Sequence, residues 1–205
     1  MAQPAYPLDL PEEQDGERWP AQGEWTYEDY ARLPDDGRRY EVIRGYLYVS
    51  PAPSYEHQYA VVQLSRLLGN FIFENELGVL LPAPFDVKLP DRIADPVQPD
   101  LVFIRTENQP RSGDANFTGV PDLAIEVLSL STRHVDRGAK KEAYRDASIP
   151  EYWLVDPRMR TIEIYRLNES GDRYVELDRG GVGQTVGSAC LAGLRVPVEQ
   201  VFPRK

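Results

Sequence analysis

The segment PDLAIEVLSLST (residues 121–132), followed without a break by RHVDRGAKKEAYRDA (133–147) and soon by EYWLVD (151–156), reads as strand, helix and strand. Strand alternation places Leu123, Ile125 and Val127 on one face and Ala124, Glu126 and Leu128 on the other, which leaves Glu126 a lone charge on a small apolar face. A second acid, Asp100, opens another apolar run in QPDLVFI (98–104). A carboxylate in such a setting loses most of its hydration and needs a cation or a metal to compensate. If the two strands are neighbours in one sheet, Asp100 and Glu126 meet.

Working outward, Thr26 with Asp29 has the form of a capping box and predicts a short helix that Pro34 closes. RRYEVIRGYLYVS (38–50) predicts a tight β-hairpin turning at Arg44 and Gly45. Ala60, Val61, Leu64, Leu67, Leu68, Phe71 and Ile72 recur at helical spacing and predict a long helix from Tyr55 to Leu77. VLLPAPFDVKL (79–89) predicts an edge or bent strand, because Pro82 and Pro84 cannot donate to a ladder. After the central strand–helix–strand, TIEIYRL and RYVELD add strands, and a looser segment from Val182 to Phe202 ends the chain. This order predicts an α/β fold, a mixed central β-sheet flanked by helices with additional antiparallel strands.

The chain has 205 residues and one cysteine, Cys190, which excludes an internal disulfide and a tetrathiolate metal site and suits a reducing cytoplasm. No secretion signal or membrane-length apolar run is evident, so a soluble cytoplasmic protein is expected. The net charge of −10 is unevenly spread: residues 1–36 hold ten acids against two bases, and the remaining 169 residues hold 23 acids against 21 bases. An acidic tail over residues 1–24, of a composition that cannot repay the entropy of ordering, is expected to be disordered, with one domain over 25–205. The near-neutral body neither favours nor excludes a polyanionic partner.

On the helix from Arg133, Asp136, Lys140 and Tyr144 fall on one stripe at i, i+4 and i+8, and Arg133, Arg137, Lys141 and Arg145 on a neighbouring one. The first stripe could aim Lys140 at the two carboxylates, and the second could meet phosphates. Each feature also has a plainer reading. Glu126 could close a structural ion pair with Lys140 or Arg133, Asp136 and Lys140 could be a surface pair, and the arginines a solvated face. His57 could be a satisfied core histidine, and Glu41 could simply face solvent.

YEVIRGYLYVSPAP (40–53), EHQ (56–58), PD (99–100), EVLSLST (126–132) and DRGAKKEAYRDASIPEYWLVDP (136–157) together resemble the Uma-two family of endonucleases, a branch of the restriction-endonuclease-like PD-(D/E)XK superfamily. The resemblance runs from about Tyr40 to Asp156 and more loosely to Phe202. It implies a nuclease core that hydrolyses DNA with Mg²⁺ or Mn²⁺, in which Asp100, Glu126, Glu41 and the main-chain carbonyl of Val127 hold the ion. His57 and Tyr144 stand as accessory positions. The superfamily's lysine, two residues after the acid, is replaced here by Leu128, and the resemblance implies that Lys140 has taken over its role. Ser148 stands where a helix-ending glycine is expected. Cutting both strands would need two active sites and makes a homodimer an expectation. Two alternatives stay open: a catalytically silent nuclease-fold module binding nucleic acid or protein, and a glycoside hydrolase using Asp100 and Glu126, whose activity would survive EDTA.

Overall fold

The computed structural model describes residues 18–204. Helix α1 (Tyr27–Tyr30) opens on the expected capping box, with the Thr26 side chain accepting from the Asp29 N–H and Asp29 returning to the Thr26 N–H. Strands β1 (Arg39–Ile43) and β2 (Tyr46–Ser50) form the expected antiparallel hairpin. Arg44 and Gly45 take φ of 52° and 76° at its tip, as a two-residue turn of this hand requires. Helix α2 (Tyr55–Glu74) follows, with Ser54 capping the His57 N–H.

The proline-containing run is two strands rather than one bent strand. β3 (Gly78–Pro82) is the edge of the main sheet, and β4 (Asp86–Lys88) leaves it to pair in parallel with β6 (Asn116–Thr118). β5 (Leu101–Arg105) lies between them in sequence, and β7 (Leu123–Val127) carries Glu126. The helical run after β7 consists of α3 (Arg133–Val135), a π turn (Asp136–Lys140) and α4 (Lys141–Asp146). β8 (Glu151–Asp156), β9 (Thr161–Leu167) and β10 (Tyr174–Gly181) complete a six-stranded mixed sheet of order β10-β9-β8-β7-β5-β3. A last small hairpin, β11 (Thr185–Gly187) with β12 (Arg195–Pro197), closes the described chain.

The core lies on both faces of this sheet. On one, Ala60, Leu64, Leu68 and Ile72 of α2 pack on Leu101, Phe103, Leu123 and Ile125. On the other, Tyr144 and Ala147 of the helical run meet Val102, Ala124, Leu128 and Tyr152. The alternation read from residues 123–128 therefore holds residue by residue, and Glu126 faces the second layer among these apolar groups.

The N-terminal tail reading falls mainly on residues 1–17, outside the described residues. Residues 18–24, which composition assigns to the same tail, pack on the hairpin instead. Trp19 stacks on Trp25 with ring centroids 5.5 Å apart, Gln22 accepts from the Leu47 N–H at 2.8 Å, and the Gly23 N–H donates to Gly45 O at 2.8 Å. One tryptophan and a side chain able to pair with a strand outweigh the polar composition around them.

Candidate metal centre and its cleft

The antiparallel register of β5 on β7 sets Leu101 opposite Ile125, and continuing it by one residue brings Asp100 beside Glu126. The juncture is tied directly, for the Val127 N–H donates to Asp100 Oδ2 at 2.8 Å. Alternation in β1 turns Tyr40 and Val42 toward Trp25 and sends Arg39 and Glu41 the other way, into the site. Arg39 donates to Asp100 Oδ1 at 2.7 Å, and His57 Nε2 lies 3.2 Å from Asp100 Oδ2. Thus β1, α2, the residue leading into β5, and β7 each contribute one or more polar side chains to a single point.

Lys140 arrives from the opposite layer and is 1% exposed. Its ammonium lies 2.9 Å from Glu41 Oε1, 3.0 Å from Glu126 Oε1 and 3.8 Å from Asp136 Oδ1. Tyr144 Oη donates to Glu126 at 2.6 Å, the Gln98 N–H donates to Glu41 at 2.7 Å, and Thr132 Oγ1 donates to Asp136 at 3.1 Å. The π turn explains how three side chains four apart stay in line. In a regular α-helix each step of four residues drifts by about 40°, and the wider turn takes up part of that drift.

Four buried carboxylates, Glu41, Asp100, Glu126 and Asp136, thus face two permanent cations, Lys140 and Arg39. Burial pushes Glu126 up to about 8 despite Lys140, and Asp136 up to about 7. Burial opposes ionisation of Asp100 too, but the Arg39 guanidinium and His57 more than offset it and hold the carboxyl well below its ordinary range. For Lys140 burial favours the neutral amine, and Glu126 and Glu41 prevail, keeping it charged. The cluster consequently stores protons at neutral pH where its acids exceed its bases.

This donor set fits a hard divalent ion. All the surplus donors are carboxylate oxygens, and once all four acids are ionised the cluster carries two negative charges more than its cations, which is what such an ion neutralises. Among the described residues no group of three His, Cys, Asp or Glu side chains is already gathered to hold an ion. The Lys140 ammonium bridges Glu41 and Glu126, so coordination by both requires it to step aside. Two polar atoms here, His57 Nδ1 and Gln98 Oε1, are buried with no hydrogen-bond partner among the described residues. Unmet hydrogen-bonding capacity of this kind is costly unless a ligand or water completes it.

Asp100, Arg39 and His57 line a cleft of about 1120 Å³ together with Arg38, Arg133 and Arg158, among others, while Glu41, Glu126 and Lys140 lie buried behind them. Of the basic stripe expected to meet phosphates, only Arg133 lines this cleft. Arg137 makes a two-pronged pair with Glu163 at 2.8 and 2.9 Å, Lys141 lies 3.3 Å from the centre of the Tyr165 ring, and Arg145 donates to Asp146 at 2.7 Å. The stripe runs toward β9 and the helix's own end, away from the carboxylates. Sequence reading missed Arg39, Gln98 and Thr132. Arg39 was the accessible one, since it shares the Glu41 face of β1, whereas Gln98 and Thr132 gain their place only through the loops that carry them.

A mixed sheet with its acids at the junction of two central strands and a lysine from the crossing helix defines a restriction-endonuclease-like fold. The chain belongs to the Uma2 family, described as "Putative restriction endonuclease", whose model matches residues 27–199. It is also similar to the crystal structure of a "putative nuclease belonging to DUF820" from Anabaena variabilis, with a TM-score of 0.71 and 17% identity over 87% of this chain and 97% of that one. An uncharacterized protein of Synechocystis sp. is 27% identical over 148 residues, 71% of this chain and 75% of the relative.

Proposed function

We propose that this protein is a Mg²⁺- or Mn²⁺-dependent endonuclease that hydrolyses phosphodiester bonds in DNA. The observation that carries the reading is the convergence of Glu41 and Glu126 on the buried Lys140, beside an Asp100 that lines a cleft together with Arg38, Arg39, Arg133 and Arg158. Glu41, Asp100, Glu126 and the Val127 carbonyl would hold the ion. A bound divalent ion supplies a water of lowered pKa and neutralises charge on a phosphoryl group. Lys140, released from Glu41 and Glu126, orients that water and offsets the charge that develops on the phosphate. Arg39 and His57 fix Asp100 in one rotamer and keep it ionised, and the Tyr144 hydroxyl does the same for the orientation of Glu126. Arg38, Arg133 and Arg158 at the cleft wall contact the phosphates on either side of the cut, a role that Arg137 and Arg145, which lie outside the cleft lining, do not share.

A nuclease-fold module without catalysis is the second reading, favoured by the direct bridge of Lys140 to Glu41 and Glu126. The deciding experiment is cleavage of supercoiled, linear and single-stranded DNA with Mg²⁺, Mn²⁺ or EDTA, with Glu126→Ala purified in parallel. Metal-dependent cutting by the native chain, reduced at least about 100-fold in Glu126→Ala, is expected. Saturable DNA binding with no turnover in any metal would favour the silent module, and cutting that survives both EDTA and the substitution would defeat the nuclease reading.

A further inference from the structure

Helix α2 carries exposed apolar side chains on the face turned away from the sheet as well as on the one turned toward it. The inward one, Ala60, Leu64, Leu68 and Ile72, is spent on the sheet. Directly opposite, at a spacing of alternately four and three residues, run Tyr55, Tyr59, Val62, Arg66, Gly69 and Phe73. Tyr55 is 67% exposed, Val62 61% and Phe73 84%, among the largest exposures of apolar side chains in the described chain. A surface helix normally carries one apolar stripe and a polar back. Alternating steps of four and three are the seam spacing of paired helices.

Read from opposite ends, the seam matches ring with ring at its ends and large with small inside them. Laid antiparallel about Leu64, the seam sets Tyr55 against Phe73 of a second copy, Tyr59 against Gly69, and Val62 against Arg66. An aromatic pair closes each end, and a large ring meets a glycine inside it. A Cβ built on Gly69 touches nothing within 4 Å, so the space above it is open to the incoming ring. The Arg66 guanidinium is drawn sideways, donating to Gln63 Oε1 at 3.2 Å and Gln200 Oε1 at 3.4 Å, which clears its methylenes for Val62. Self-complementarity about a two-fold axis is what an isologous dimer demands.

We infer that α2 is a homodimer interface, joining two copies of this chain antiparallel along Tyr55, Tyr59, Val62, Arg66, Gly69 and Phe73. With about 150–250 Å² per aromatic side chain, the stripe and its flanks offer on the order of 600 Å² per copy. The pair then buries about 1,200 Å², the lower end of stable interfaces. The cleft touches α2 through Glu56, His57, Gln58 and Val61, none of them in the seam, so both clefts stay open. At 1.5 Å per residue the two His57 positions lie about 21 Å apart along the seam. The inference does not depend on catalysis, and its test does not read it.

The full 205-residue chain is examined by sedimentation velocity from micromolar to about 100-fold higher concentration, beside Val62→Glu/Phe73→Glu. The native chain is expected to reach twice its monomer mass. The variant, whose changes sit on exposed positions, is expected to keep its thermal unfolding while its dimer Kd rises at least about 100-fold, the loss expected from charging an interface centre. Register is read with Tyr59→Cys/Gly69→Cys, which a short bis-maleimide should trap as a covalent dimer, while Phe73→Cys alone, whose two copies lie about 27 Å apart along the seam, should not be trapped. A native chain that stays monomeric throughout overturns the inference, as does a dimer indifferent to the glutamates. A chain that dimerises only after residues 1–17 are removed would show that its own N-terminal segment covers the stripe, and would also overturn it.

Discussion

The ammonium of Lys140 touches Glu41 and Glu126 at 2.9 and 3.0 Å while Tyr144 and Gln98 satisfy the same carboxylates from other directions. A lysine that is only structural and one that attends a reaction make different demands here. If Lys140 merely neutralises the acids, a divalent ion should replace it, and Lys140→Met should bind Mn²⁺ at least as tightly and still cut. If it also stabilises the developing phosphate charge, the same variant should bind the ion yet cleave about 10²–10³-fold more slowly. Loss of cleavage with a retained Mn²⁺-induced rise in melting temperature is the expected pair of results. Without the ion the variant leaves its acids with one cation fewer, and it should lose about 3–5 kcal/mol toward neutral pH, where these acids must otherwise ionise.

Backbone geometry at two element ends gives predictions that need no catalysis. Gly45 at the β1–β2 turn has φ of +76°, and a Cβ there would stand 2.3 Å from Gly23 O, the oxygen of the segment that brings Trp19 onto Trp25. Gly45→Ala should therefore destabilise the protein by about 1–3 kcal/mol and expose the tryptophans, as a red shift of their fluorescence would report. At the end of α4, Ser148 takes φ of +63°, its N–H donates to Arg145 O and the next, from Ile149, to Tyr144 O, both at 2.9 Å. That arrangement suits glycine, so Ser148→Gly should raise stability by about 1 kcal/mol in denaturant titration and leave any cleavage unchanged.

These elements also show what the sequence could convey. Period-two alternation around Glu126, the capping box at Thr26 and the Arg44-Gly45 turn are local patterns, and the structure reproduces each. So too is the i, i+4, i+8 stripe that brings Asp136, Lys140 and Tyr144 to one place. What local pattern cannot express is the second party to a contact. The basic stripe looked free because Glu163 and Tyr165 lie two strands further on in the chain. His57 looked like a core residue because nothing near it in sequence announces Asp100, 43 positions away. The π turn likewise has no signature in DRGAK itself.

At the scale of the whole molecule the acid surplus couples folding to pH and, on the proposed function, would couple it to metal. Glu126 and Asp136 ionise in the folded protein near 8 and 7, well above their unfolded values of 4.5 and 3.8. Between those limits the folded chain holds more protons than the unfolded one, so stability must fall as pH rises from about 4 to about 8. Asp100, held low, acts the other way, but its contribution is lost only as pH falls below its unfolded value of 3.8. A divalent ion competes with the stored protons, so its binding strengthens over the same interval in which the metal-free fold weakens. Melting temperatures in EDTA should decline from about pH 5 to about pH 8, and Mn²⁺ should restore them most at the alkaline end. At a hundred times its Kd the ion adds about 2.7 kcal/mol. At roughly 2–4 °C per kcal/mol for a chain of this size that is about 5–10 °C. A melting temperature in EDTA that climbs across the interval would mean that the acids are fully ionised within the fold, and one indifferent to Mn²⁺ at every pH would mean that the carboxylates serve Lys140 alone.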